Sequence, residues 1–121
     1  MVQRKTDRYH LTIAVRKASN ASILDLTGPL GTGGSLQLFR DHVNELLNAG
    51  TKNIAINLGK VPYVDSSGIG VLVGAHTSVE AAGGKCKFFA PLPRVMQVLK
   101  MVRVDEVLKI FGDEDSALSS F

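Results

Sequence analysis

The segment from residue 52 to residue 74 constrains the fold of this chain more than any other part of its sequence. Apolar and polar side chains alternate from Asn53 to Leu58, which predicts a half-buried β-strand. An Asp-Ser-Ser-Gly turn follows at residues 65–68, and apolar residues at helical spacing come directly after it. The sequence therefore predicts a strand, a turn and a helix, with two serine hydroxyls where the helix begins.

The remaining sequence predicts further strands and helices in an alternating order. Alternation from Tyr9 to Val15 predicts a first strand, and Ser22–Thr27 predicts a second that pairs with it as a hairpin. Ser35 is a candidate N-cap for a helix that ends at 48–50. The other predicted elements are a helix from the serine turn to Gly83-Gly84, a strand at 87–90, a short helix at 95–100, an apolar stretch of undetermined type at 104–111 and a final helical turn or two within 113–121.

This order of elements predicts an α/β or α+β domain, in which a mixed sheet carries helices on one or two of its faces. The chain has 121 residues, which fits a single domain with one core. Residues 1–8 are polar, so we expect them to form a flexible N-terminal segment. Residues 9–121 are expected to form the domain.

Composition and charge argue against several classes of protein. Hydrophobic residues make up 45% and charged residues 21%, as in ordinary soluble domains. No apolar run reaches the roughly 18 residues of a membrane span, and none follows the N-terminus as in a secretory signal. The net charge of +3 is dispersed and has no aromatic platform beside it. We therefore expect a cytoplasmic protein with no membrane insertion and no direct nucleic-acid binding.

Cofactor and metal motifs are incomplete. The glycine-rich segment at 31–36 has Leu36 where the dinucleotide fingerprint requires its last glycine. A Walker loop around Lys85 would need glycine at Val79 and a hydroxyl at Cys86. Cys86 is also the single cysteine and lies in an apolar run, which is typical of a small buried hydrophobe. The sequence therefore predicts no cofactor, no metal site and no disulfide framework.

The serine turn does not match a serine hydrolase. Asp65 stands where the nucleophile elbow of Ser67 requires glycine. His76 is about 13–14 Å along the helix axis from Ser67. His10 and His42 lie in other predicted elements, so no base is placed to activate the serine. We therefore expect the protein not to be an enzyme.

Phosphorylation is the chemistry that this turn suits. A helix N-terminus leaves backbone N–H groups unpaired and carries partial positive charge, so it tolerates a phosphate. A phosphoserine there adds about −1.5 to −2 charges at pH 7 and changes whether a partner can dock. Asp65 can cap the helix, and Gly68 keeps the turn open to an incoming active site.

The run Val-Pro-Tyr-Val-Asp-Ser-Ser-Gly-Ile-Gly-Val-Leu at 61–72 resembles the signature of the STAS domain. STAS domains occur in bacterial anti-sigma factor antagonists and in sulfate transporter tails. The resemblance covers roughly residues 9–120 of the chain. The other matching segments are 23–28 and 54–58 (second and third strands), 82–89 (helix end and fourth strand) and 95–111 (short helix and last strand).

The resemblance implies a STAS fold, with a mixed four- to five-stranded sheet and helices packed mainly on one face. In antagonists of this family the second serine of the motif, here Ser67, is phosphorylated by an anti-sigma factor that is also a serine kinase. Unphosphorylated antagonist binds that kinase, which frees a sigma factor and so regulates transcription. Phosphorylated antagonist dissociates, and a PP2C-type phosphatase resets it.

The hypothesis of a phosphorylation-switched binding protein assigns roles around the serine. Asp65, Ser66 and Gly68 shape the site, and the partner is expected to dock over residues 28–35 and 65–76. The candidate partner-binding residues are Gly28, Gly31, Thr32, Ile69 and Leu72.

One departure from the family pattern leaves an alternative open. Antagonists usually carry Gly-Glu-Leu-Asp beside the serine, whereas this chain has Gly-Pro-Leu-Gly at 28–31 and so lacks both acidic residues. A STAS scaffold that needs no phosphate, in a stress-signalling complex or as a soluble transporter subunit, therefore remains the alternative. The oligomeric state, including a homodimer, is also left open by the sequence.

Overall fold

The structure, a computed structural model, describes residues 10–31 and 34–121. Over this range the chain forms five strands, four α-helices and one short 3-10 helix. In chain order they are β1 (Thr12–Lys17), β2 (Ser22–Thr27), α1 (Gly34–Asn48), β3 (Asn53–Lys60), α2 (Ser66–Ala81), β4 (Lys85–Phe89), α3 (Pro93–Met101), the 3-10 helix (Val104–Glu106), β5 (Lys109–Phe111) and α4 (Glu114–Ser119).

The strands form one mixed sheet in the order β1-β2-β3-β4-β5. β1 and β2 are antiparallel and form the predicted hairpin, whereas β2, β3, β4 and β5 run parallel to one another. Because parallel strands end at the same edge of a sheet, the loops that follow β2 and β3 lie side by side. This edge brings residues 28–31, which follow β2, to the serine turn.

The main core lies between one face of the sheet and helices α1, α2 and α3. Phe39 of α1, Leu72 of α2 and Leu99 of α3 are fully buried in it. The opposite face holds a smaller cluster in which Ala117 of α4 packs against Ile23 and its neighbours. Three helices on one face and one on the other confirm the predicted mixed sheet with helices packed mainly on one face.

Several element boundaries differ from the sequence prediction. β1 begins at Thr12 and continues to Lys17, and Tyr9 lies outside the described residues, as does the segment 1–8 predicted to be flexible. Ser35 is not an N-cap, because α1 already begins at Gly34. β4 begins two residues earlier than predicted, at Lys85, whose N–H donates to the Lys52 carbonyl.

The structure determines the secondary structure of residues 104–111, whose type the sequence did not fix. Residues 104–111 form the 3-10 helix and then β5, which adds the fifth, outer strand of the sheet. α3 begins at Pro93, since a proline in the first turn has no N–H to leave unpaired. Asp113 caps α4 by accepting a hydrogen bond from the Ser116 N–H at 2.8 Å, so the predicted final turns form a short helix.

Candidate functional site

Two loops at the carboxyl edge of the sheet are joined by backbone hydrogen bonds. The Leu30 N–H donates to the Tyr63 carbonyl, and the Leu30 carbonyl accepts from the Asp65 N–H, both at 3.1 Å. At the start of the same loop, the Gly28 N–H donates to the Lys60 carbonyl at 3.0 Å. The loop after β2 therefore holds the start of the serine turn through main-chain groups alone.

Asp65 caps helix α2, as the sequence predicts. Its backbone is extended (φ −102°), and its Oδ1 accepts a hydrogen bond from the Gly68 N–H at 2.8 Å. Its carbonyl begins the helical ladder by accepting from the Ile69 N–H at 2.9 Å. An Asp at this position satisfies one of the N–H groups that every helix start leaves without a helical partner. The cap fixes the geometry of both serines.

Gly68 serves a different purpose from the one predicted. A Cβ built on this glycine would lie 2.0 Å from the Leu30 carbonyl oxygen, which is far closer than two such atoms can approach. Gly68 is buried, so it does not keep the turn open to an incoming active site. Its lack of a side chain instead allows α2 to begin directly against the Leu30 backbone.

Gly31 has a similar requirement. A Cβ at this position would lie 2.9 Å from Oδ2 of Asp65. Any side chain at 31 would therefore press on the carboxylate that caps α2. At position 31, where the family pattern has its second acidic residue, this chain has a glycine whose Cβ position lies beside the capping carboxylate.

The two serines occupy the first turn of α2 with unequal exposure. Ser66 is exposed and Ser67 is half-buried. The N–H groups of a first helical turn have no partner one turn back, and here the Asp65 side chain takes the one from Gly68. A negatively charged group on either serine would meet the positive end of the helix dipole.

The five predicted partner-binding residues differ in exposure, and Gly31 is buried. Gly28 (φ +113°) and Ile69 are half-buried, and Ile69 also packs against the main core. Thr32 lies outside the described residues. The assignment of Leu72 is wrong, because its side chain is 0% exposed and no partner can reach it. The helix turns this position toward the sheet, which apolar spacing alone did not distinguish from a surface stripe.

Tyr63 is a surface residue of this site that the sequence analysis did not single out. It is 52% exposed, and its ring carbon Cε1 lies 3.7 Å from the position of a Cβ on Gly31. A tyrosine two residues before the Asp-Ser-Ser-Gly turn is the signal that could have identified it, since aromatic rings are frequent anchors at interfaces. The surface beside the serines is therefore partly aromatic.

Other chemistries find little support in the described part of the chain. No group of three His, Cys, Asp or Glu residues there is placed to hold a metal ion. Cys86 is buried, as predicted, and burial raises the pKa of its thiol to about 12. Among the helices of the described ranges, none combines the length and apolar character required to cross a bilayer.

The fold and the turn together define a small α/β protein whose candidate site is a capped helix start held by a neighbouring loop. The model of the STAS domain family matches residues 12–117, and the chain belongs to that family.

Relatives and solved structures agree with this assignment. A Thermotoga neapolitana protein that carries the name of an anti-sigma factor antagonist is 35% identical over 82 residues, which covers 67% of this chain and 73% of the relative. The crystal structure of a Thermotoga maritima protein of the same name superposes with a TM-score of 0.82 at 27% identity, covering 89% of this chain and 92% of that one.

The fold also matches a structure whose phosphorylation state is specified. The anti-sigma factor antagonist SpoIIAA in its unphosphorylated form has a TM-score of 0.75 at 19% identity, covering 90% of this chain and 95% of that one. At this identity the similarity shows the fold alone. SpoIIAA has also been solved in its phosphorylated form, with a TM-score of 0.68 to this chain at 19% identity and coverage of 90% and 98%.

Proposed function

We propose that this protein is an anti-sigma factor antagonist whose binding is switched by phosphorylation of Ser67. Unphosphorylated protein binds an anti-sigma factor of the serine kinase type and frees a sigma factor for transcription. A PP2C-type phosphatase returns the phosphorylated form to the binding state. The observation that carries the proposal is the Asp65-capped serine turn, in a chain whose relatives bear the antagonist name.

The local physics supports a switch of binding rather than of folding. A phosphate on Ser67 would add about −1.5 to −2 charges at a helix start, where unpaired N–H groups and the helix dipole stabilise them. The turn itself is held by the Leu30 backbone, whose bonds do not involve the serine hydroxyls. The new charge therefore changes the docking surface and leaves the framework in place. The protein acts by binding in the cytoplasm, as one STAS domain, and not by catalysis.

The proposal is tested by phosphosite mapping of the protein purified from its native cells. We expect phosphate on Ser67 in the wild type and its loss in Ser67→Ala. Ser66→Ala is the matched control, because it removes the neighbouring, more exposed hydroxyl of the same turn. Loss of phosphate in Ser66→Ala with retention in Ser67→Ala would contradict the assignment of the acceptor.

A second candidate function is a STAS scaffold that is never phosphorylated. It is favoured by one observation: the chain has Pro29 and Gly31 where the family pattern has its two acidic residues. The scaffold function would be favoured over the phosphorylation switch if neither serine carried phosphate under any growth condition while the protein stayed bound to its partner.

A further inference from the structure

β1 is an outer strand with an unusually open surface. It stands first in the sheet order, and among the described residues only β2 pairs with it. All of its residues are exposed except Ile13, which is half-buried. An outer strand presents a row of unpaired N–H and C=O groups, which are a template for another strand.

The register of the hairpin identifies the groups on the free edge. The Ala18 N–H donates to the Ala21 carbonyl at 2.8 Å, so these residues form a hydrogen-bonded pair. Bonded and non-bonded pairs alternate along an antiparallel ladder. In the register with Arg16 opposite Ile23, the bonded residues of β1 are therefore those of even number. The residues whose N–H and C=O groups face outward are Ile13, Val15 and Lys17.

The side chains of this edge match those of a second, antiparallel copy. Val15 is 46% exposed, and alternation places it on the same face as Ile13, which packs against the main core. With a two-fold axis at Val15, each Val15 meets its own counterpart, and Ile13 lies opposite Lys17. Ala14 then lies opposite Arg16, where its small side chain leaves room for the arginine stem.

The number of paired edge residues selects this register over its neighbours. An axis at Ala14 or at Arg16 would pair only two of the three outward-facing residues of β1 with one another. An axis at Val15 pairs all three, and it avoids the like charges that an axis at Lys17 would place directly opposite each other. The Arg16 guanidinium is bound within its own chain by Asp25 and Glu114, so it is already neutralised beside the edge.

We propose that a second copy of this chain pairs with β1 in antiparallel orientation about a two-fold axis at Val15. The two five-stranded sheets then become one continuous sheet across the dimer. A single six-residue strand from each copy contributes a small contact, of the size found in weak, reversible complexes. We therefore expect self-association in the range of roughly micromolar to millimolar concentrations. The proposal does not depend on phosphorylation of Ser67.

The test is sedimentation velocity of the full chain from about 10 µM to about 1 mM, the range in which a small interface associates. The wild type is expected to shift from monomer toward dimer. Val15→Pro removes an outward N–H while leaving the bonds to β2, since proline is tolerated where a strand's N–H faces solvent. We expect this variant to associate at least about tenfold more weakly, whereas Val15→Thr, which keeps the N–H, should retain most of the association.

Two further variants keep the outcome decisive. If Val15→Pro does not fold, Val15→Asp replaces it, because it sets two carboxylates opposite each other on the axis without altering the backbone. Val107→Thr is the control for exposed apolar surface elsewhere, since Val107 is 49% exposed and lies just before β5, the strand at the opposite edge of the sheet from β1. A wild type that stays monomeric throughout, a dimer that survives both Val15 changes, or one that Val107→Thr disrupts would overturn the proposal.

Discussion

At the scale of single residues, two glycines in one helix give opposite expectations. In Gly68→Ala the new Cβ would lie 2.0 Å from the Leu30 carbonyl oxygen, so the backbone of one of the two loops must move. Overpacking of this kind destabilises by about 1–3 kcal/mol. Gly70 has no atom within 4 Å of its Cβ position, and Gly70→Ala in a helix interior should stabilise by about 0.5–1 kcal/mol.

Urea denaturation of both alanine variants measures this difference as a change in the free energy of unfolding. The expected pair is a loss for Gly68→Ala and a gain for Gly70→Ala. Equal effects at the two positions would mean that the Leu30 contact does not restrict the start of α2.

The sequence could predict part of this turn and not the rest. An Asp three residues before a glycine at a strand-to-helix junction predicts the Asp65 cap, because capping depends on residues close in sequence. The contact of Gly68 with Leu30 joins two loops through a main-chain oxygen, which has no residue-specific pattern. The same limit applies to Leu72, a predicted partner-binding residue, since its burial depends on how α2 is rotated against the sheet.

At the scale of elements, a charged cluster fastens α4 to the β1–β2 hairpin. Nη2 of Arg16 lies 2.9 Å from Oδ1 of Asp25 and 2.7 Å from Oε1 of Glu114, and Asn57 donates to the same Asp25 oxygen at 2.8 Å. Glu114 is in the first turn of α4, where its charge also suits the helix dipole. The cluster therefore joins residues from three strands and the last helix.

This cluster makes stability depend on acid. The Arg16 hydrogen bond lowers the pKa of Asp25 below its ordinary value of 3.8, with a further contribution from Asn57, although burial opposes the shift. A carboxylate whose pKa is lowered on folding stabilises the fold above its unfolded pKa, and this contribution is lost as the pH falls through the folded pKa. We expect the free energy of unfolding of wild type to fall more steeply below about pH 4 than that of Asp25→Asn.

Chemical denaturation at a series of pH values from about 6 down to about 2, around the ordinary carboxyl pKa, makes that comparison. Asp41→Asn is a suitable control, because Asp41 is exposed on α1 and bonds to Gln37 rather than to a cation. If wild type and Asp25→Asn lose stability in parallel, the ion pair with Arg16 does not contribute to the acid dependence.

The sequence predicted the elements of this region but not their attachment. Alternation in β2 predicts a strand, and the short spacer before it predicts the hairpin. Asp25 and Asn57 are 32 residues apart, and Arg16 and Glu114 are 98 apart. Their contacts follow only once the register of the parallel pair and the face chosen by α4 are known, and neither is encoded in local periodicity.

At the scale of the whole molecule, the sheet carries one apolar cluster on each of its faces, and the same strands contribute residues to both. The larger cluster includes residues from α1, α2 and α3, and the smaller one lies under α4. Neighbouring residues of one strand belong to different clusters: in β2, Leu24 lies in the larger cluster and Ile23 in the smaller one. Since every central strand contributes to both sides, we expect the domain to unfold cooperatively, as single domains of this size usually do.

Cys86 provides a direct measure of that cooperativity. It lies in β4, which is paired on both sides by β3 and β5, and it is 0% exposed within the larger cluster. Burial raises the pKa of its thiol to about 12, so little reactive thiolate exists in the folded state near neutral pH. Labelling with a thiol reagent at about pH 8, near the ordinary thiol pKa, should therefore be slow without denaturant and reach one label per chain in urea.

The protection of Cys86 should equal the global stability if opening of the core and unfolding are one event. The free energy obtained from the labelling rate is then expected to match the free energy of unfolding from urea denaturation, and Gly70→Ala should raise both by the same amount. Rapid labelling of the folded protein, or protection well below the global value, would instead show that β4 opens while the rest of the sheet stays folded. The agreement of the two values is expected because a thiol in a central strand cannot reach solvent without breaking the pairing on at least one side and exposing the core beneath it.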